Sequence, residues 1–280
     1  MPVVELELAA SRARRLVLRM LKSSPQGHVG GALSAIDIIT ALYLREMNID
    51  PANPKSKERD RFILSAGHKA MAQYSVLSLA GFFANDVLDE WGKSGTSVPG
   101  HPDMSKLSGI EANTGALGHG LPIGVGMALG LRMAGLNSRV FVLLGDGELP
   151  EGSNWEGASM AAHHKLDQLI AIVDVNGMQI SGQTADVLNM APIGEKFDAF
   201  GWSTIEIDGH DMGAISDALQ RAPLQAGKPT AIVARTIKGK GITQLEGRIS
   251  SHYWKPSAAA LDEAIAEIEE AIRNAERKMA

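Results

Sequence analysis

The 280-residue chain has no cysteine. That excludes a disulfide framework, a thiolate nucleophile and a thiolate metal site, and it fits a reducing compartment. Long apolar runs are missing too: nothing approaches the length of about 20 apolar residues that a membrane-spanning helix needs. The stretch from Met1 to Met20 is interrupted by Glu5, Glu7, Arg12, Arg14, Arg15 and Arg19, so it lacks the core of a signal peptide. Basic residues are scattered and the formal charge is −5, which gives no electrostatic case for nucleic acid or an acidic membrane. No Pro/Gly/Ser-rich linker, charge block or internal repeat divides the sequence. A single cytoplasmic domain over 1–280 is the expectation.

What is present is a regular alternation of short apolar runs and helical periodicities within a 45% hydrophobic composition. Strands are predicted at 61–65, 140–144, 169–175, 203–207 and 230–236. Leu6, Ala9, Ala13, Leu16 and Met20 repeat at helical spacing, and that helix should stop before Ser23-Ser24-Pro25. Gln26 to Gly31 reads as a glycine-rich loop, with a second helix opening near Ser34, capped with the help of Asp37, and running to about Met47. Further helices are predicted at 70–80, 121–134 and 154–164, and a peripheral one at 258–278. Gly92 to Gly120 lacks periodicity, which is uncommon unless such a stretch lines a site. The fold class that follows is α/β, a doubly wound, mainly parallel sheet with helices on both faces.

The polar clusters fall just after the strands. Gly145-Asp146-Gly147 closes the run from Val140 to Leu144, and Asn176-Gly177 closes the run from Leu169 to Val175. A carboxylate and an amide oxygen at adjacent strand ends are hard ligands, suited to a magnesium ion that also holds a diphosphate. The glycines allow the diphosphate close to free backbone amides. Ala66-Gly67-His68, Asp208-Gly209-His210 and Lys238-Gly239-Lys240-Gly241 end the other strands.

Taken in order, these motifs resemble the diphosphate-binding half of transketolase. The resemblance runs from about Gly27 to His252, through Gly27-His28, Arg59-Asp60-Arg61-Phe62 with Gly67-His68, Pro99-Gly100-His101-Pro102, Thr114-Gly115-Ala116-Leu117-Gly118, Gly145-Asp146-Gly147 with Glu151-Gly152, Asn176-Gly177, Asp208-Gly209-His210-Asp211 and Lys238-Gly239-Lys240-Gly241. It implies thiamine diphosphate and magnesium (calcium or manganese able to substitute), with Asp146, Asn176 and the Met178 carbonyl as metal ligands. His68, Gly145 and Gly147 would meet the diphosphate, Ile180 would pack beneath the cofactor, and Gly115 and Leu117 would offer main-chain groups to the aminopyrimidine. Lys238 would approach the cofactor, while His28, His101 and His252 would line the substrate funnel and move protons. Glu151 would meet an activating glutamate across a subunit contact; otherwise it is an ordinary first-turn glutamate.

Ala116 stands where the family has proline, His119 where it has glutamine, and Val29 where proline is frequent; these departures bear on substrate preference. Full-length transketolases continue into a pyrimidine-binding domain and a third domain that this sequence lacks. The implied arrangement is therefore a split enzyme acting on sugar phosphates, its partner a C-terminal subunit, in an α2β2 heterotetramer.

Two rivals remain at this point. One is the α subunit of a 2-oxo acid dehydrogenase, against which the set His28, His68, His101 and His252 suits a polyhydroxylated substrate better. The other is a cofactor-binding or regulatory subunit without turnover. Duller roles also stand for some histidines: His163-His164 as surface residues, His210 as the holder of a turn.

Overall fold

The computed structural model describes residues 1–279. In chain order the elements are α1 (Val3–Ser23), α2 (Val29–Ala41), β1 (Arg61–Leu64), α3 (Ala70–Leu79), α4 (Gly120–Met133), β2 (Val140–Gly145), α5 (Gly152–His163), β3 (Leu169–Val175), the hairpin strands β4 (Met178–Gln179) and β5 (Gly182–Gln183), α6 (Thr184–Val187), α7 (Ile193–Ala199), β6 (Ser203–Asp208), α8 (Met212–Arg221), β7 (Thr230–Arg235) and α9 (Ala258–Met279). Five strands form one parallel sheet in the order β1-β2-β3-β7-β6.

Successive strand residues point to opposite faces, and both faces are covered. Phe141 and Leu143 of β2 and Ile170 and Ile172 of β3 pack beneath α1, α2, α3 and α8. Val140, Val142 and Leu144 with Leu169, Ala171 and Val173 pack against α4, α5 and α7. That two-sided burial explains why β2 and β3 read as unbroken apolar runs. The C-terminal helix α9 lies on α1 through Leu261, Ala264, Ile268 and Ile272. Among the described residues no helix is long and apolar enough to cross a membrane.

Because all five strands run the same way, their carboxyl ends open on one edge. The register sets Gly145 beside Asp174 and Val175 beside Arg235, bringing the loops after β2, β3 and β7 together. The chain moves inward from the edge strand β1 to the central β3, crosses to the other edge strand β6 and returns to β7, which makes the gap between β3 and β7 a topological switch point.

One expectation is overturned. Val29, Gly30 and Gly31 are helical, the first turn of α2, and Ser34 and Asp37 lie inside that helix and cap nothing. Every residue from Val29 to Ala41 is buried. The two glycines serve close packing: a Cβ on Gly30 would lie 2.3 Å from Ser251 Oγ and one on Gly31 would lie 3.3 Å from the Lys69 side chain. The helix then ends in a widened turn over Leu42–Glu46. Three further helices, α6, α7 and α8, went unpredicted; α8 is capped by Asp211, whose carboxylate accepts from Gly213 N and Ala214 N.

Candidate functional site

A cavity of about 330 Å³ opens at the carboxyl edge of the sheet. Of the residues singled out in sequence, His28, His68, Gly115, Leu117, Gly145, Asp146, Gly147, Asn176, Met178, Ile180, Lys238 and His252 all line it. His101 borders an adjoining outer cleft, which it shares with His28 and Tyr253. Its ring also lies 2.8 Å from where a Cβ on Gly115 would stand, and Gly115 has a φ of 142° that excludes most side chains on backbone grounds as well. Glu151 is not part of the cavity; it is solvent-exposed at the start of α5. His119 is exposed as well, its Nδ1 against Leu117 O at 3.0 Å.

Asp146 is 4% exposed. Its Oδ2 accepts from Gly177 N at 2.7 Å and its Oδ1 from Gly147 N at 2.9 Å, which pins the loop after β3 to the loop after β2. Burial, together with the charge of Asp174, raises its carboxyl to about 6. Asn176 Oδ1 accepts from Met178 N at 3.1 Å. Asp146, Asn176 and the Met178 carbonyl thus form a compact set of hard oxygen donors, the chemistry a magnesium-sized cation requires. The Met178 carbonyl already accepts from the Lys238 ammonium at 3.2 Å, so that oxygen faces a cation in this structure. Among the described residues no three histidine, aspartate or glutamate side chains converge to hold a metal. An ion here would draw the rest of its shell from a bound ligand or water, and the residues fit that arrangement.

Lys238 Nζ also lies 3.0 Å from His252 Nδ1. An ammonium can only donate, so this Nδ1 accepts and the ring proton sits on Nε2. Burial and then the neighbouring Lys238 push His252 down to about 4. Burial likewise lowers His28 and His68, with Lys69 adding to the effect on His68. Lys238 itself is lowered to about 8, by burial first and by Lys69 second. His28 stands 5.2 Å from His68, 5.3 Å from His252 and 6.5 Å from His101, ring centre to ring centre. The cavity therefore carries a group of imidazoles, at least three of them neutral near pH 7, able to donate and accept hydrogen bonds at once.

Three buried groups beneath the cavity escaped the sequence reading. Asp174 is fully buried yet ionised: burial opposes its charge, but Lys69 Nζ at 2.6 Å, Ser34 Oγ at 2.6 Å and Thr236 outweigh it and lower its pKa. Lys69 is that ion pair's cation and lines the cavity floor. Glu148 accepts from Gly118 N at 2.8 Å and Gly145 N at 3.1 Å and bonds Ser65 Oγ, joining the ends of β1 and β2 to the loop before α4. An acid inside the apolar run Leu169–Val175 was the signal available, since a buried charge requires a partner.

Fold and site together define a doubly wound α/β protein whose ligand cavity lies at the carboxyl edge of its sheet. The model of the family described as transketolase, thiamine diphosphate binding domain, matches residues 6–274, and the chain belongs to that family. It is 42% identical over 266 residues to the 6-deoxy-6-sulfo-D-fructose transketolase subunit SqwG of Clostridium sp. (strain MSTE9), covering 95% of this chain and 97% of that one. It is 39% identical over 278 residues to an apulose-4-phosphate transketolase subunit of Phocaeicola vulgatus, covering 99% of each. Among solved structures, transketolase from Campylobacter jejuni superposes with a TM-score of 0.89 at 31% identity, over 98% of this chain and 46% of that chain. The chain therefore spans under half the length of that single-chain relative.

Proposed function

We propose that this chain is the N-terminal, diphosphate-binding subunit of a two-chain transketolase that moves a two-carbon ketol group from a ketose phosphate to an aldose phosphate. The observation that carries the reading is the convergence of Asp146, Asn176, Met178, Lys238 and three histidines on one cavity at the sheet edge. The full-length matches to proteins named as transketolase subunits support a division of the enzyme between chains. Their names also point to anionic sugars as the substrate class, one sulfonated and one phosphorylated.

In this reading Asp146, Asn176 and the Met178 carbonyl hold magnesium, and Gly147, His68 and Lys238 meet the diphosphate. The exposed Ile180 packs beneath the cofactor, and Gly115 and Leu117 face its aminopyrimidine. Thiamine diphosphate, once bound, supplies the electron sink that no protein side chain offers for cleavage beside a ketose carbonyl. The chain's own part is to orient the sugar and manage its protons. Neutral His28 and His252 can hydrogen-bond sugar hydroxyls and take or give a proton near neutrality, with His101 at the outer cleft. Glu151, exposed on the rim, meets an activating glutamate that the partner subunit brings, and the pyrimidine-binding domain belongs to that partner. The assembly is an α2β2 heterotetramer in the cytoplasm.

A coupled assay on the chain with its partner tests this. Ketol transfer between sugar phosphates is expected, 2-oxo acid decarboxylation is not, and Asp146→Ala should abolish turnover. Decarboxylation without ketol transfer would favour the dehydrogenase-type rival; turnover unchanged in Asp146→Ala would remove the metal assignment.

A further inference from the structure

Outside the cavity lining, three charged or titratable side chains form a buried chain. Arg14 of α1 grips Asp37 of α2 in two bonds, Nη1 to Oδ1 at 2.9 Å and Nη2 to Oδ2 at 2.7 Å. Asp37 Oδ2 also meets His210 Nδ1 at 2.7 Å. The other ring nitrogen, His210 Nε2, accepts from the backbone N–H of Ile237 at 2.8 Å. An acceptor at Nε2 fixes the tautomer: Nδ1 bears the proton and donates it to Asp37. Arg14 and Asp37 are 7% and 6% exposed.

Both ends of this relay fasten the same turn. His210 holds the amide of Ile237, and Arg14 Nε donates to Lys240 O at 3.1 Å. Between these two anchors stands Lys238, whose ammonium reaches Met178 O and His252. A third tie, Gly239 N to Gly30 O at 2.9 Å, fixes the turn to the start of α2. Lysine has a long, flexible stem, so where its ammonium rests depends on where its Cα is held. We propose that Arg14, Asp37 and His210 are positioning residues that set the Ile237–Lys240 turn and thereby the reach of Lys238 into the cavity. The inference rests on the reading of Lys238 as a contact for the cofactor diphosphate.

A double-mutant cycle on the chain assembled with its partner separates the two. The readout is the dissociation constant of thiamine diphosphate in saturating magnesium, measured by calorimetry. Lys238→Ala is expected to weaken binding by about tenfold or more, and His210→Asn, which can still donate to Asp37 but loses the acceptor for Ile237, by about tenfold, the lower end of the effect seen when supporting residues around a site are removed. In the Lys238→Ala background His210→Asn should cost less than about twofold. His210→Gln, whose amide oxygen can stand where Nε2 stood, should keep most of the affinity. If His210→Asn does not fold, Arg14→Lys replaces it in the cycle, since it drops the bond to Lys240 O while leaving a cation beside Asp37. Equal losses with and without Lys238 would overturn the positioning role and leave only a structural one. An unchanged affinity in Lys238→Ala alone would instead remove the diphosphate reading on which the inference stands.

Discussion

Asp37 has a folded-state behaviour that follows from its neighbours. Burial raises its carboxyl, but the charge of Arg14 and hydrogen bonds from His210 and Arg14 prevail and push it down to about 2, against 3.8 for the free side chain. A depressed carboxylate stabilises the fold fully above its unfolded value, and that contribution disappears as pH falls from about 4 to about 2. The shift corresponds to roughly 2 kcal/mol at about 1.4 kcal/mol per unit. Urea unfolding measured along that window should show stability falling with acidity, and the fall should be shallower in Asp37→Asn. The variant should also be weaker at pH 7 by about 3–5 kcal/mol, because Arg14 is left buried without its counter-charge. Parallel acid limbs in the two proteins would mean that Asp37 is not depressed in the folded state.

At the scale of elements, glycine does two opposite jobs, and each can be measured. Gly30 begins α2 with its Cα against Ser251, where an added Cβ would sit 2.3 Å from the hydroxyl and 2.7 Å from the carbonyl oxygen. Gly30→Ala should therefore destabilise the isolated chain by about 1–3 kcal/mol, the usual cost of overpacking. Gly126, mid-way along α4, has open space around its Cβ position, so Gly126→Ala should stabilise by about 0.5–1 kcal/mol through helix propensity alone. Chemical denaturation of both variants checks the pair, and a loss in both would mean that helical entropy does not govern Gly126. The same contrast explains what was legible in the sequence. Strands with continuous apolar runs were readable because burial on two faces leaves no polar alternation. The strand-end residues were readable because glycine, aspartate and asparagine cluster there. The start of α2 was not, because Gly30 and Gly31 carry the composition of a loop while their role is tight contact with Ser251 and Lys69. Lys69, Asp174 and Glu148 stayed hidden for a related reason: each is defined by partners far away in the chain, such as Lys69 with Asp174 or Glu148 with Ser65 and Gly118.

At the scale of the whole molecule, the cavity has a mouth that is unusually apolar for a surface facing water. Ile180 and Val187 line the cavity while 74% and 47% exposed, Leu188 follows Val187 in the chain at 54%, and Tyr253, exposed as well, lines the adjoining cleft with His28. Clustered exposed side chains of this kind mark surfaces that another body covers. On the proposed function, two bodies provide the cover. In that proposal the cofactor lies over Ile180, and the partner subunit closes the mouth beyond it. Backbone amides there have little structure of their own, since β4 and β5 are two residues each and α6 is a single turn. Such segments open at low free-energy cost in the free chain and gain protection when covered. Hydrogen exchange should consequently slow by about tenfold or more across 178–188 and 249–254 when partner, thiamine diphosphate and magnesium are added together. Cofactor and magnesium without the partner should protect 178–188 less. The β6 edge strand and α9, remote from the mouth, should exchange at the rate of the free chain. Protection confined to α9 or β6, with 178–188 unchanged, would place the partner on a different face and leave the cavity mouth without the cover that ketol transfer requires.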